Sequence, residues 1–216
     1  MTEYIFSVPV KRGFEEVADL FHLLNQDSPL GYIAGSYAAW MGAANERWQP
    51  HDVDVFTTSE AAFNELPKLL RGVDYIQMDD GDIVKAFEHL ITRKGLQLIK
   101  PHSEWSAFPD DILESFDLTV GLAALISQNT TLAHIHAGGG FSKILRINEP
   151  VRTLKRVLKY HKRGVEFDDW ELMKLFKAWD FMTPEQKEIA DLLHSQQEEV
   201  DATGFYFDYD EYFFEE

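Results

Sequence analysis

The sequence contains no cysteine. Disulfides and thiolate metal sites are therefore excluded, and the expected compartment is a reducing cytoplasm. Membrane signals are missing too. The N-terminus, MTEYIFSVPVKRGFEE, has no basic start followed by a long apolar run, so no secretory leader is expected. No apolar stretch approaches the roughly 20 residues that cross a bilayer. The longest, residues 118–126, is broken by Thr119 and Gly121 and predicts a strand running into a helix. Basic residues are scarce: 20 Lys and Arg stand against 37 Asp and Glu, for a net charge of −17. Phosphate binding is driven by clustered cations, so a surface that coats nucleic acid broadly is excluded. A local basic patch is not.

What is present is a globular composition, 45% hydrophobic and 13% aromatic over 216 residues, enough to bury a sizeable core. The chain is organised around residues 31–56, GYIAGSYAAWMGAANERWQPHDVDVF. A short apolar run stops at Gly35-Ser36, an Ala-rich amphipathic segment follows, and after a polar loop comes DVDVF. This predicts strand, glycine turn, helix and second strand. Alternation in the second strand puts Val53 and Val55 on one face and Asp52 and Asp54 on the other. Two adjacent carboxylates repel unless something positive lies between them. Hard divalent cations take oxygen ligands, and magnesium typically combines one or two carboxylates with substrate phosphates. Gly-Ser at a helix start lets backbone approach a phosphate and aims amides and a hydroxyl at it. The competing reading makes Asp52 and Asp54 solvated residues on an edge strand.

Gly35, Ser36, Asp52 and Asp54, in this order and setting, resemble the signature of the DNA polymerase beta-like nucleotidyltransferase superfamily. That resemblance implies a third carboxylate from a later strand, for which Asp117 in SFDLTV is the candidate, with Asp110 and Asp111 behind it. It further implies that Asp52, Asp54 and Asp117 hold two divalent ions, Mg2+ or Mn2+, over the α-phosphate of a nucleoside triphosphate. Gly35 and Ser36 would position the β- and γ-phosphates. The product would be a nucleoside monophosphate joined to an acceptor hydroxyl on RNA, a protein or a small molecule. The expected fold is α+β: a nucleotidyltransferase-like mixed β-sheet flanked by helices over residues 1–148.

Elsewhere the patterns are simpler. Residues 14–24 have helical spacing, Ser59 is placed to cap a helix through about residue 70, residues 4–10 read as a short strand or an ordered arm, and strands are expected near 75–78, 83–91, 96–100 and 131–137. Asp79-Asp80-Gly81-Asp82 reads as a solvated turn, because the spacing of a calcium loop is missing. His134 and His136 alternate on their strand with no third ligand nearby, so they read as polar-face residues. The Gly138–Gly140 run reads as a mobile hairpin or loop.

From 149 to about 197 the periodicity is helical. Residues 151–165 carry Arg152, Lys155, Arg156, Lys159, Lys162 and Arg163 without an acid, leaving Leu154, Val157, Leu158 and His161 to pack. One reading is a solvated basic face. The other, implied by the resemblance, has Lys155, Arg156 and Lys159 meeting the triphosphate. Helices are also expected over 170–179 and 184–193. Residues 198–216 form an acidic, aromatic tail that docks on its own domain or on a partner. The alternative function is a nucleotidyltransferase-like protein that binds without catalysis, through that tail.

Overall fold

The computed structural model describes residues 4–26, 28–43, 49–101, 108–147 and 150–188. Eight strands form one sheet: β1 (Ile5–Pro9), β2 (Gly31–Ala34), β3 (Asp52–Thr57), β4 (Tyr75–Asp80), β5 (Val84–His89), β6 (Gly95–Ile99), β7 (Ala123–Ser127) and β8 (Thr130–His134). Their order is β1-β8-β7-β2-β3-β6-β5-β4, so β2 and β3 are the two central strands. Only β3 and β6 run parallel; the other neighbours are antiparallel. The helices are α1 (Ala18–Leu24), α2 (Ser36–Gly42), α3 (Glu60–Leu70), α4 (Pro109–Glu114), α5 (Pro150–Lys162) and α6 (Asp169–Phe181). The architecture is thus α+β, a mixed sheet flanked by helices.

The central position of β3 explains its composition. Val53 and Val55 join Leu20, Leu24, Phe63 and Leu66 from α1 and α3 in the main core. Phe56, on the opposite face, packs with Ala34, Ile99, Ile112 and Leu113 beneath α4. A strand covered on both sides buries both sets of residues. Asp54 is only 2% exposed, and the solvated edge-strand reading of the Asp pair is excluded.

Local chemistry sets most element boundaries. Ser59 caps α3 by accepting a hydrogen bond from the Ala62 amide at 3.1 Å. Pro67 does not stop that helix, which runs to Leu70 and closes in a 3₁₀ turn at Arg71–Val73. Asp168 caps α6 by accepting from the Glu171 amide at 2.8 Å. Glu171 is itself buried and accepts from the Ile144 amide and Lys174 Nζ, both at 2.7 Å. This contact and the cluster of Leu118, Val120, Ile144, Val157, Tyr160 and Leu175 join α5 and α6 to the segments that flank β7 and β8.

Three expectations are corrected. The strand-then-helix reading of 118–126 is replaced by an isolated bridge at Leu118, a 3₁₀ turn at Thr119–Gly121 and strand β7. A short continuous apolar run cannot distinguish a buried strand from a buried helix, and Ala123 and Ala124 are buried on opposite faces of the sheet. The Gly138–Gly140 run is not a loose loop. Gly138 has φ 62°, its amide donates to the Val120 carbonyl at 2.8 Å, and a Cβ there would stand 2.6 Å from Ala43 Cβ. Glycine is required because α2 packs directly on the backbone. Finally, α5 buries Thr153, Val157 and Tyr160, leaving Leu154, Leu158 and His161 exposed. Relative to the expected stripe it is rotated by about one residue, roughly 100°. Tyr160 is the largest side chain on that face, and its burial sets the rotation. Of the helix expected over 184–193, residues 184–188 are helical; the remainder, and the 198–216 tail, lie outside the described residues.

His134 ends β8 and accepts from the His136 amide through Nδ1 at 3.1 Å, with the two rings 5.4 Å apart. Burial, then His136 and Lys143, holds the His134 pKa down; burial and Lys143 lower that of His136. Their protons therefore bind the unfolded chain more tightly. Their contribution to stability is full above the unfolded pKa of about 6.5 and falls as pH drops through it. Thermal unfolding at pH 7.5 and 5.5 should show this loss, and His134→Gln should shrink the difference between the two.

Candidate active site

The site grows from the turn between β2 and α2. Ala34 pairs with Asp54 across the central strands, and the Gly35 amide donates to the Ala123 carbonyl at 2.9 Å. Gly35 then turns the chain at φ 79°, ψ −151°, a region closed to side chains, and α2 starts at Ser36. A Cβ on Gly35 would lie 2.8 Å from Asp54 Oδ2. The missing side chain is what admits the carboxylate against the backbone at the helix start. Ser36 is buried beside it.

Asp52 stands two residues earlier on the same face of β3, half-buried, at the end where the strand begins. Gln97 lies on the neighbouring strand opposite Asp54, and its Nε2 donates to Asp52 Oδ2 at 3.3 Å. Gly95 faces Asp52 without a side chain; a Cβ there would sit 3.5 Å from Asp52 Cβ. A buried and a half-buried carboxylate lie two residues apart on one face of β3, Asp52 accepting from the Gln97 amide. Hard oxygen donors so placed suit a divalent cation.

Asp117 follows α4. Phe116 packs on Phe56 with ring centroids 5.6 Å apart, which brings this segment to the sheet face that also carries Asp54. Its carboxylate is engaged by α5: Arg156 Nη1 donates to Oδ1 at 2.7 Å and Thr153 Oγ1 to Oδ2 at 3.4 Å. Both members of the ion pair are largely buried. The structure therefore brings two predicted site residues, Asp117 and Arg156, onto each other. Among the described residues, no group of three His, Asp or Glu side chains is placed to hold a metal ion. The two halves meet at Gly121: a Cβ there would lie 3.3 Å from the Tyr160 hydroxyl and 3.8 Å from the Ser36 amide. Helix α5 thus borders the Gly35-Ser36 turn, with Lys155 and Lys159 half-buried on it.

This pairing gives Arg156 a part in holding the fold together. In Arg156→Ala the Asp117 carboxylate loses its ion-pair donor, and the expected cost is about 2 kcal/mol, within the range for a stranded buried polar group. Urea denaturation of Arg156→Ala, Asp117→Asn and the double variant measures it. The double variant should be more stable than the sum of the singles implies.

Sequence reasoning missed Gln97. Its signal was available: a lone polar residue inside the apolar strand GLQLI follows the same alternation that drew attention to Asp117. Gly121 and Tyr160 carried no signal, since their importance lies in a tertiary approach.

Several solved structures share the fold. A tRNA-processing enzyme (apo form I) superposes with a TM-score of 0.57 at 15% identity, over 79% of this chain and 49% of its own. A tRNA-processing enzyme complex superposes with a TM-score of 0.51 at 17% identity, over 69% of this chain and 43% of its own. A tRNA nucleotidyltransferase complexed with a primer tRNA and an incoming ATP analog aligns more loosely, with a TM-score of 0.49. The chain thus spans about half the length of these enzymes. At such identities the likeness is one of fold. No protein-family model matches the sequence, nor does any curated protein.

Proposed function

We propose that the protein is a nucleotidyltransferase that moves a nucleoside monophosphate from a nucleoside triphosphate to an acceptor hydroxyl, with a divalent metal, Mg2+ or Mn2+. The observation that carries this reading is the fit of Gly35 against Asp54 at the centre of the sheet. A left-handed glycine, a helix start and a buried carboxylate meet there, as phosphate and metal chemistry require. Fold likeness to tRNA-processing enzymes supports the reading and favours RNA as the acceptor over a protein or small molecule.

In the reaction the acceptor oxygen attacks the α-phosphorus, the bond from the α-phosphorus to its bridging oxygen breaks, and pyrophosphate leaves while the hydroxyl proton passes to solvent. Asp52 and Asp54 would hold the metal. When bound, it supplies a lowered hydroxyl pKa and charge neutralisation at the phosphate. Gln97 orients Asp52. Gly35 and Ser36 lay backbone along the β- and γ-phosphates. Asp117 would join the carboxylates on release from Arg156, and Arg156, Lys155 and Lys159 would then meet the departing charge.

The test incubates the protein with each labelled triphosphate, a divalent ion and RNA or cell extract, then asks which fraction carries label. Metal-dependent label on an acceptor is expected; no label with any triphosphate would defeat the reading. Lys159→Ala should weaken triphosphate binding roughly ten- to a hundredfold, the loss of one charge-assisted phosphate contact of about 1.5–3 kcal/mol. Its unfolding free energy in urea should fall by less than the about 1.5–3 kcal/mol lost from triphosphate binding, because Lys159 lies off the buried stripe of Thr153, Val157 and Tyr160.

One observation favours the second reading, a non-catalytic nucleotidyltransferase-like protein that acts through its acidic, aromatic C-terminus. Asp117 is paired with Arg156 of α5. Triphosphate binding that is indifferent to magnesium and manganese would select it.

A further inference from the structure

Strand β6 sets a second row of side chains beside the carboxylates of β3. In their parallel pairing Gly95 stands opposite Asp52, Gln97 opposite Asp54 and Ile99 opposite Phe56. Paired positions share a face of the sheet, so one face carries Asp52, Asp54 and Gln97 together. Phe56 and Ile99 continue the row into an apolar cluster. Gly95 has no side chain, which leaves Gln97 as the polar group that β6 brings to the two acids.

Gln97 is 3% exposed, in a strand where Leu96, Leu98 and Ile99 are fully buried. The sense of its amide is fixed by chemistry. An ionised carboxylate only accepts, so the atom 3.3 Å from Asp52 Oδ2 is the amide nitrogen, and Oε1 is the other end. That oxygen is buried and has no hydrogen-bond partner among the described residues. A buried acceptor without a partner costs stability, whereas a leucine or methionine would bury here without that cost. The two carboxylates cannot satisfy it, because neither has a proton to give. A hard divalent cation can, since it takes carboxylate and carboxamide oxygens alike.

We propose that Gln97 Oε1 is the third protein oxygen of the metal site, beside Asp52 and Asp54, while Asp117 stays on Arg156. This rests on the reading that the Asp pair holds a divalent ion, and not on the transfer reaction. Its consequence is one of charge. A carboxamide adds a ligand without adding charge, so the two carboxylates balance one divalent ion and leave nothing for another. The protein without nucleotide therefore holds a single ion. A second joins only when a triphosphate or a released Asp117 brings further oxygens.

The test is a titration of the full-length protein with Mn2+ at pH 7.5 without nucleotide, followed by electron paramagnetic resonance of the free ion. One ion per chain is expected. Gln97→Met keeps the side-chain length and removes the oxygen; affinity should fall roughly ten- to a hundredfold, as when other groups around a metal are lost. Gln97→Glu separates a ligand from an orienting residue. With Oε1 on the ion, a third carboxylate should tighten Mn2+ by about tenfold or more and admit a second ion. If Gln97 only orients Asp52 through Nε2, the new charge repels Asp52 and affinity falls, which overturns the proposal. Urea denaturation reports folding: Gln97→Glu should be less stable than the parent in EDTA and regain that stability in Mn2+. Parental affinity in both variants removes Gln97 from the site and leaves the Asp pair as the metal holder. Two ions bound equally well by the parent overturn the single-ion stoichiometry. A parent that binds no Mn2+ overturns this proposal together with the metal site it rests on.

Discussion

Asp54→Asn is expected to abolish nucleotide transfer while leaving the fold intact. Asp54 is buried at the centre of the sheet against Gly35, and asparagine has the same shape. The substitution removes one of two neighbouring negative charges, so unfolding in urea without metal should show unchanged or slightly raised stability. The chemistry responds in the opposite direction. A site that has lost a metal-holding carboxylate loses both the activated hydroxyl and the neutralised phosphate, and one preorganised electrostatic contact is worth about 10²–10³ in rate. Label transfer should fall by at least that factor, and manganese binding followed by electron paramagnetic resonance should weaken with it. A large drop in unfolding temperature would instead make Asp54 a structural residue.

Gly35→Ala should fail on both counts. At φ 79° and ψ −151° a side chain is strained by about 1–3 kcal/mol, and the new Cβ would sit 2.8 Å from Asp54 Oδ2. Relief requires the carboxylate to move or β2 to separate from β7, where the Gly35 amide bonds the Ala123 carbonyl. We expect a loss of about 2–4 kcal/mol in urea denaturation, the strain and the displaced contact together. The double variant Gly35→Ala, Asp54→Gly should recover part of it, because the colliding atoms are gone. Absence of any recovery would show that backbone strain is the whole effect.

The alternation of DVDVF, the halt at Gly35-Ser36 and the capping serine at 59 were legible because each is a local rule acting on a few neighbouring residues. They brought out β2, the glycine turn, α2, β3 and the cap of α3. What escaped was set at a distance. The apolar run 118–126 looks alike as strand or helix until β7 finds β2 and β8. The rotation of α5 depends on Tyr160 filling space beside Gly121, a contact across 39 positions of sequence. Arg156 and Asp117 each read correctly as charged residues of interest, but the ion pair between them has no trace in either segment.

The Gly35–Asp54 contact spans fewer than twenty positions and lies in one antiparallel hairpin bridged by α2. Asp117 and α5, by contrast, close long loops to reach the same neighbourhood. Short loops close at lower entropic cost, and local contacts form early. The β2–α2–β3 hairpin is therefore the half of the site that can stand before the rest of the sheet is complete, and the α5 wall is the half that arrives last. A destabilising change in α5 should then open that wall while the carboxylates on β3 keep their seat, so native-state amide exchange would divide the site along the line between Ser36 and Gly121.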